Sequence, residues 1–227
     1  HQRVSFLSKE RTSEEARSFS IMKQEASGVE YNYEKVAQSL RLMYVGNIII
    51  IASILCTILA WIIPPLVFLV SMAVLGGTVI SLVGLVKLRN EHQAYRNAVI
   101  TLVIVFVVGL FANDETIFGA LMSMAQDICN LLMTYFVIKG TNAVLQSRGA
   151  AGQMELGKRA WRWQLISFGA AFLSGGITLL CLLLSGSLLD SPSLILPLIS
   201  VFASLAISLV ALVYYLRYLK QSSEFLI

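Results

Sequence analysis

The sequence predicts an all-α protein that crosses a membrane six times, with the six helices arranged as three hairpins. Of its 227 residues, 57% are hydrophobic and only 13% are charged, whereas a soluble domain carries about 25% charged residues. The mean hydropathy is +0.76. About 20 apolar residues span a bilayer as a helix, and six apolar runs near that length follow one another. These observations indicate a membrane domain over residues 42–216, between cytoplasmic tails at 1–41 and 217–227.

The N-terminal tail is polar and holds seven Lys or Arg and six Glu residues. Thr12 and Glu15 have the spacing of a capping box, which predicts a helix over 13–26. A second, amphipathic helix is predicted from Asn32, because apolar residues follow it at helical spacing and lead into the first span. This lead-in helix either lies at the membrane interface or docks a partner protein. The first span is expected to act as an uncleaved signal anchor.

The six spans differ in what flanks them. Pro64 and Pro65 fit a tight turn between the first two spans, since proline is tolerated in the first turn of a helix. The third span is short and uniformly apolar, so it is expected to face lipid. Asp114 and Glu115 precede the fourth span and suit the positive end of its helix dipole. The predicted spans are 43–63, 65–86, 97–112, 116–138, 163–184 and 194–215.

The charges divide the connecting segments into two classes. All seventeen Lys and Arg residues fall in the two tails and in the loops predicted at 87–96 and 139–162. The charged residues in the remaining connections are all acidic, namely Asp114, Glu115 and Asp190. Because basic loops stay in the cytoplasm, both termini are predicted to be cytoplasmic, in the plasma (inner) membrane.

The predicted loop at 139–162 ends in a basic and aromatic cluster. Lys158, Arg159 and Arg162 are interleaved with Trp161 and Trp163. Tryptophan and basic residues concentrate where helices enter the membrane. We therefore predict an interfacial anchor here, with contact to anionic lipids as the alternative.

The fourth span carries polar residues at steps of three and four, which places them on one face of a helix. Asp127 is the only ionisable side chain well inside a span. A carboxylate at the centre of a spanning helix costs about 2.5–3.5 kcal/mol and is expected to face protein or water. It either belongs to an ion or proton pathway or is a neutral group hydrogen-bonded within the bundle. The polar stripe consists of Ser123, Gln126, Asp127, Asn130 and Thr134.

Small residues four positions apart recur in three other spans, where they let helix backbones approach closely. The segment 80–86 closely matches 207–213 at an offset of 127 residues, and the same offset relates Pro65 to Pro192. We interpret this match as an internal repeat, a duplicated helical hairpin in one orientation. The predicted packing residues are Ala73, Gly77 and Ser81, then Ser167, Ala171 and Gly175, and finally Ser200, Ser204 and Ser208.

The sequence lacks the residues that several classes of function require. Three cysteines, all inside apolar runs, form neither a disulfide framework nor a metal motif. Both histidines, His1 and His92, lie outside the spans, and no second membrane carboxylate accompanies Asp127. There is no zinc motif and no glycine-rich phosphate loop. The sequence therefore predicts no enzyme, no cofactor, no metal and no nucleic-acid partner.

Two functions remain. The first is a small transporter or permease-like subunit with a polar path around Asp127. The second is a non-catalytic accessory or scaffold subunit, in which the stripe contacts a partner helix and the tail docks. The predicted partners are the lipid bilayer and either other membrane subunits or further copies of this chain. The composition is typical of small bacterial multi-pass proteins, and no motif assigns a family.

Overall fold

A computed structural model describes residues 31–60, 65–112, 117–185 and 195–227, and every regular element in these ranges is a helix. Four of the helices are long and apolar enough to cross a membrane. The part of the chain that the structure describes is therefore all-helical, and its long apolar helices are of the kind found in membrane-embedded proteins. The helices are α1 (Tyr33–Ala60), α2 (Pro65–Leu88), α3 (Gln93–Gly109), α4 (Ile117–Ser147), α5 (Ala151–Ser185) and α6 (Ile195–Leu226).

Most of the helices extend beyond the predicted spans, chiefly at the end that the sequence predicts to be cytoplasmic. α1 begins at Tyr33 and α6 runs to Leu226, so both are continuous across the predicted domain boundaries near 41 and 216. Asn32 caps α1, because its side-chain oxygen accepts the N–H of Lys35 at 3.0 Å. The lead-in helix and the first span are therefore one helix. The helix predicted over 13–26 lies outside the described residues.

The prediction of a loop over 139–162 is wrong, because most of this segment is helical. α4 continues to Ser147 and α5 starts at Ala151, so only a tight turn separates them. Gly149 has a φ of +72°, and the N–H of Ala150 donates to the carbonyl oxygen of Leu145 at 3.0 Å. A left-handed glycine with a bond back into the last turn is a frequent way to end a helix. Gly149 and Ala150 therefore end helix α4 and are not part of a long loop.

The buried core lies at the end of the bundle where the basic residues are, which we call the basic end. Residues from the start of α1, α3 and α5 and from the end of α2, α4 and α6 meet there. This burial explains the long helices, because the extensions carry apolar faces that only tertiary packing can cover. The core contains Val36, Leu40, Leu88, Tyr95, Ile138, Val144, Leu145, Ala160, Tyr218, Leu219 and Leu226.

Polar bonds inside this core join three helices. The Tyr95 hydroxyl on α3 lies 2.9 Å from the Thr141 hydroxyl on α4, and both residues are buried. The Tyr218 hydroxyl on α6 donates to Asn142 Oδ1 at 2.9 Å. Buried hydroxyls need such partners, so these bonds fix the register of α3, α4 and α6 at the basic end.

Beyond the core, the helices present large apolar side chains outwards, among them Phe68, Leu75, Phe106 and Phe202. In a membrane this surface meets lipid. α1 packs chiefly on α2, α3 on α4 and α5 on α6, while α6 also contacts α1. α2 and α3 contact each other only sparsely.

Candidate functional site: a polar cleft inside the bundle

A cleft of about 540 Å³ opens between the helices, and we call it the polar cleft. Its walls come from α1, α2, α3 and α4, with Tyr215 of α6. Its polar lining residues are Asn47, Thr78, Ser81, Gln126, Asn130, Thr134 and Tyr215, and its apolar ones include Ile50, Leu82, Leu102, Val105, Phe106 and Met133.

One side of the polar cleft is a small hydrogen-bonded group where α1 meets α2. Asn47 Nδ2 donates to the carbonyl oxygen of Met43 at 2.7 Å and to Ser81 Oγ at 3.2 Å. The Ser81 hydroxyl reaches the same carbonyl at 3.3 Å. These bonds use the amide nitrogen of Asn47. Its carbonyl oxygen has no hydrogen bond to the described residues and can accept one from a ligand.

The opposite side comes from α4. Gln126 lies against Gly109 at the end of α3, since a Cβ added at Gly109 would be 3.0 Å from Gln126 Nε2. Asn130 and Thr134 follow at one-turn spacing and are half-buried. The Thr134 hydroxyl donates to the backbone oxygen of Asn130 at 3.1 Å. The carboxamides of Gln126 and Asn130 thus flank the cavity.

No acidic or basic side chain of the described residues lines the polar cleft. Carboxamides and hydroxyls both donate and accept hydrogen bonds without carrying charge. The site is therefore suited to an uncharged polar molecule rather than to an ion. Within the described ranges, no group of three or more His, Cys, Asp or Glu residues could hold a metal.

Asp127 differs from the prediction. It is exposed on α4 and is not among the residues that line the polar cleft. Each residue turns an α-helix by about 100°, so Gln126 and Asp127 cannot both point at the cavity centre. Ser123 is half-buried and does not line the cleft. The predicted stripe is split, because Gln126, Asn130 and Thr134 line the cleft whereas Ser123 and Asp127 do not.

The small residues of α2 lie where it crosses α1. A Cβ on Gly77 would lie 2.8 Å from the carbonyl oxygen of Gly46, and one on Gly84 would lie 2.7 Å from that of Ser39. Ser81 contributes to the Asn47 group, and Ala73 is half-buried. Gly46 and Gly84 were not singled out from the sequence, because each lies outside a run of small residues at steps of four.

The small residues of α5 and α6 meet through two pairs of hydroxyls. Ser167 and Ser208 lie 2.8 Å apart, and Ser174 and Ser200 lie 3.2 Å apart. Ala171 is exposed, and a Cβ at Gly175 would meet nothing within 4 Å. Steps of four drift by about 40° each, whereas seven residues return to nearly the same face. Ser174 therefore takes the place predicted for Gly175. On α6, Ser204 is half-buried.

The predicted interfacial anchor lies about two turns into α5, which begins at Ala151. The Trp161 ring packs against that of Tyr135 with centroids 5.0 Å apart, and Trp163 stacks on Tyr214 at 5.7 Å. Among its basic members, Arg159 pairs with Glu155 at 3.6 Å, and Lys158 and Arg162 are exposed.

The two matching segments lie on α2 and α6, each of which packs against the helix before it. Pro192 lies outside the described residues. Comparisons of the chain with protein-family models, curated proteins and solved structures find no match.

Proposed function

We propose that this chain is a small transporter or permease-like subunit and that the polar cleft binds its substrate. One observation carries the proposal. Polar side chains from four helices, including Asn47, Ser81 and Asn130, line one cavity between the helices. Polar groups at membrane depth are costly unless they find partners or line a cavity. A cluster of them around a space is typical of a binding site.

The lining defines the class of substrate. The cavity combines amide and hydroxyl groups with aliphatic and aromatic walls and lacks charge. Small-molecule sites commonly join an apolar wall to a few polar groups that fix orientation. We therefore propose a small, uncharged molecule with several hydrogen-bonding groups. No residue is assigned a catalytic role.

The proposal includes six spans as three hairpins, with both termini in the cytoplasm of the inner membrane. It is supported by the concentration of Lys and Arg at the basic end and by the positions of the α2–α3 and α4–α5 turns there. Single cysteines placed at Asp114 and Asp190 should react with an impermeant reagent from outside, and one at Arg148 should not. Labelling at Arg148 alone from outside would reverse the topology.

Transport is tested in vesicles that contain the purified protein. The probes are urea, glycerol and a neutral monosaccharide, whose entry is followed by light scattering. Asn130→Leu should slow the permeation of whichever probe the wild type conducts, because it removes a carboxamide from the cleft. Met124→Leu is the matched control, since Met124 is exposed on the same helix. If wild type and Asn130→Leu conduct every probe at the rate of empty vesicles, the proposal fails.

The accessory or scaffold function remains the second candidate, and the exposure of Asp127 favours it. An exposed carboxyl at membrane depth suits a polar contact with another helix, either of a partner subunit or of a second copy. Asp127→Leu should then abolish co-purification of that partner, whereas Asp127→Asn should largely preserve it. Under the transport function proposed here, Asp127 does not line the polar cleft, so Asp127→Asn should leave the permeation of the conducted probe unchanged. Unchanged co-purification of the partner with Asp127→Leu would contradict the accessory function.

A further inference from the structure

A second cavity, which we call the turn pocket, lies where α2 passes into α3. Its volume is about 730 Å³, and it shares no lining residue with the polar cleft. It lies at the level where the apolar part of each helix ends, since Val86 and Ile100 flank it along the chain. The turn pocket is lined by Arg89, Asn90, His92, Gln93, Arg96, Asn97 and Ile100.

The turn pocket has a net positive charge. Arg89 and Arg96 are both exposed, and neither forms an ion pair within the described residues. The one acidic residue of the turn, Glu91, is held instead by Lys35 at 2.7 Å and by the N–H of Asn32 at 3.2 Å. Two guanidinium groups therefore line the cavity without a carboxylate to neutralise them.

Further hydrogen-bond donors surround the two arginines. The Nδ1 atom of His92 accepts the N–H of Ala94 at 3.0 Å, which places the proton of the neutral ring on Nε2. Arg89 uses only Nε in its weak contact with Asn90, at 3.5 Å, so its terminal amino groups are available to a ligand. Gln93 adds an amide. A planar guanidinium matches the geometry of a phosphate group.

Exposed apolar side chains on α2 and α3 lie along the chain on either side of the turn pocket. The two helices contact each other only sparsely. On α3 the exposed residues are Ile100, Ile104 and Val107, and on α2 they include Val79 and Val86. Ile100 also lines the turn pocket. Donors for an anion are thus followed directly by a surface that an acyl chain can cover.

We propose that the turn pocket binds an anionic phospholipid, with the phosphate of the headgroup held by Arg89 and Arg96 and an acyl chain lying between α2 and α3. A soluble phosphate would use the same donors but would leave the exposed apolar side chains of α2 and α3 uncovered. The anchor on α5 is a weaker place for such a lipid, because Arg159 is already paired with Glu155.

The test is native mass spectrometry of the full chain in detergent, with phosphatidylglycerol or phosphatidylcholine added at equal concentration. The wild type should retain phosphatidylglycerol in preference. The double variant Arg89→Gln with Arg96→Gln should lose roughly 10- to 30-fold in affinity for it, since each basic residue near an anionic headgroup contributes a factor of about five. Arg159→Gln with Arg162→Gln is the matched control and should bind like the wild type.

Two further arms separate the sources of the phosphate and guard against misfolding. Inorganic phosphate at millimolar concentration should not displace phosphatidylglycerol. If it does, the ligand of the turn pocket is a soluble anion and the lipid proposal is wrong. Arg89→Lys with Arg96→Lys keeps the charge and should retain part of the affinity. Equal binding by wild type and the glutamine variant would overturn the proposal. An equal loss in the α5 control would also overturn it, because bulk charge would then explain the binding.

Discussion

Gly46 of α1 and Gly77 of α2 face each other so closely that neither position has room for a methyl group. A Cβ on Gly46 would lie 2.5 Å from the carbonyl oxygen of Gly77, and a Cβ on Gly77 would lie 2.8 Å from that of Gly46. Lipid gives helices no hydrophobic reason to associate, so close backbone approach supplies the attraction. This reciprocal contact holds α1 and α2 together beside the Asn47 group of the polar cleft.

Replacing Gly77 tests that contact, and the neighbouring glycine provides the control. Gly77→Ala should destabilise the protein by about 1–3 kcal/mol, the usual cost of overpacking. A Cβ on Gly76 would meet nothing within 4 Å, so Gly76→Ala should be neutral or should stabilise by up to about 1 kcal/mol through helix propensity. Thermal unfolding in detergent compares them. If Gly76→Ala is the more damaging change, the crossing of α1 and α2 is misplaced.

The hydroxyl pair Ser167 and Ser208 should contribute modestly to the packing of α5 on α6. Hydrogen bonds between membrane helices average about 0.6 kcal/mol in double-mutant cycles. Ser167→Ala, Ser208→Ala and the double variant should give a coupling of that size, measured by unfolding in mixed detergent. Ser71→Ala is the control, because Ser71 bonds only within its own helix, to the carbonyl of Val67 at 2.9 Å. Strict additivity in the cycle would contradict the contact.

Two tyrosines one turn apart on α6 should respond differently to loss of the hydroxyl. Tyr218 donates to Asn142 and is fully buried. Tyr218→Phe should therefore cost about 1–3 kcal/mol, because Asn142 loses its partner. Tyr215 is also buried, but its hydroxyl makes no hydrogen bond to the described residues. Tyr215→Phe should be close to neutral in the same thermal assay. Equal effects would show that the tyrosines act through their rings alone.

His92 should make stability depend on pH. Burial lowers the pKa of His92 below its ordinary value, and the charge of Lys139 lowers it further. Between the folded and the unfolded pKa, His92 is therefore protonated in the unfolded state and neutral in the folded state. The contribution of His92 to stability is complete above about pH 6.5, its unfolded pKa, and is lost as the pH falls through the folded pKa. Neutral His92 caps α3 by accepting the N–H of Ala94.

The measurement is the thermal midpoint between pH 7.5 and 5. His92→Asn should remove the part of the pH dependence that His92 causes, while still capping the helix, since asparagine is a strong N-cap residue. At pH 7.5 the variant should be within about 1 kcal/mol of the wild type. If the variant and the wild type lose the same stability on acidification, the titration belongs to other groups.

Much of the fold could be predicted from the sequence, because apolar runs in a membrane protein are continuous and their polar ends are distinct. The start of α2 at Pro65 agrees with the prediction. The helical extensions at the basic end could not be found in this way. Residues such as Val144 and Ala160 lie in segments that also hold polar and basic residues, and their burial depends on which helices surround them.

Only part of the candidate site was predictable. Gln126, Asn130 and Thr134 recur at helical spacing within one segment. Their partners Asn47 and Ser81 are single polar residues on other helices, and nothing in the local pattern relates them to α4. The exposure of Asp127 could not be predicted either, because it too depends on how the other helices are placed. The polar arc of a helix is wider than the cleft, and only the positions of neighbouring helices decide which edge is covered.

The large buried side chains are concentrated at the basic end of the bundle, and this has a mechanical consequence. Helices α1 and α2 are also joined at Gly46 and Gly77, so they would tilt together about the basic end. α1 has 28 residues, which corresponds to a length of about 42 Å. The part of α1 beyond Met43, its last core residue, is about 26 Å long at a rise of about 1.5 Å per residue, so a tilt of about 5° would displace the far end of the helix by about 2 Å while the core stays packed.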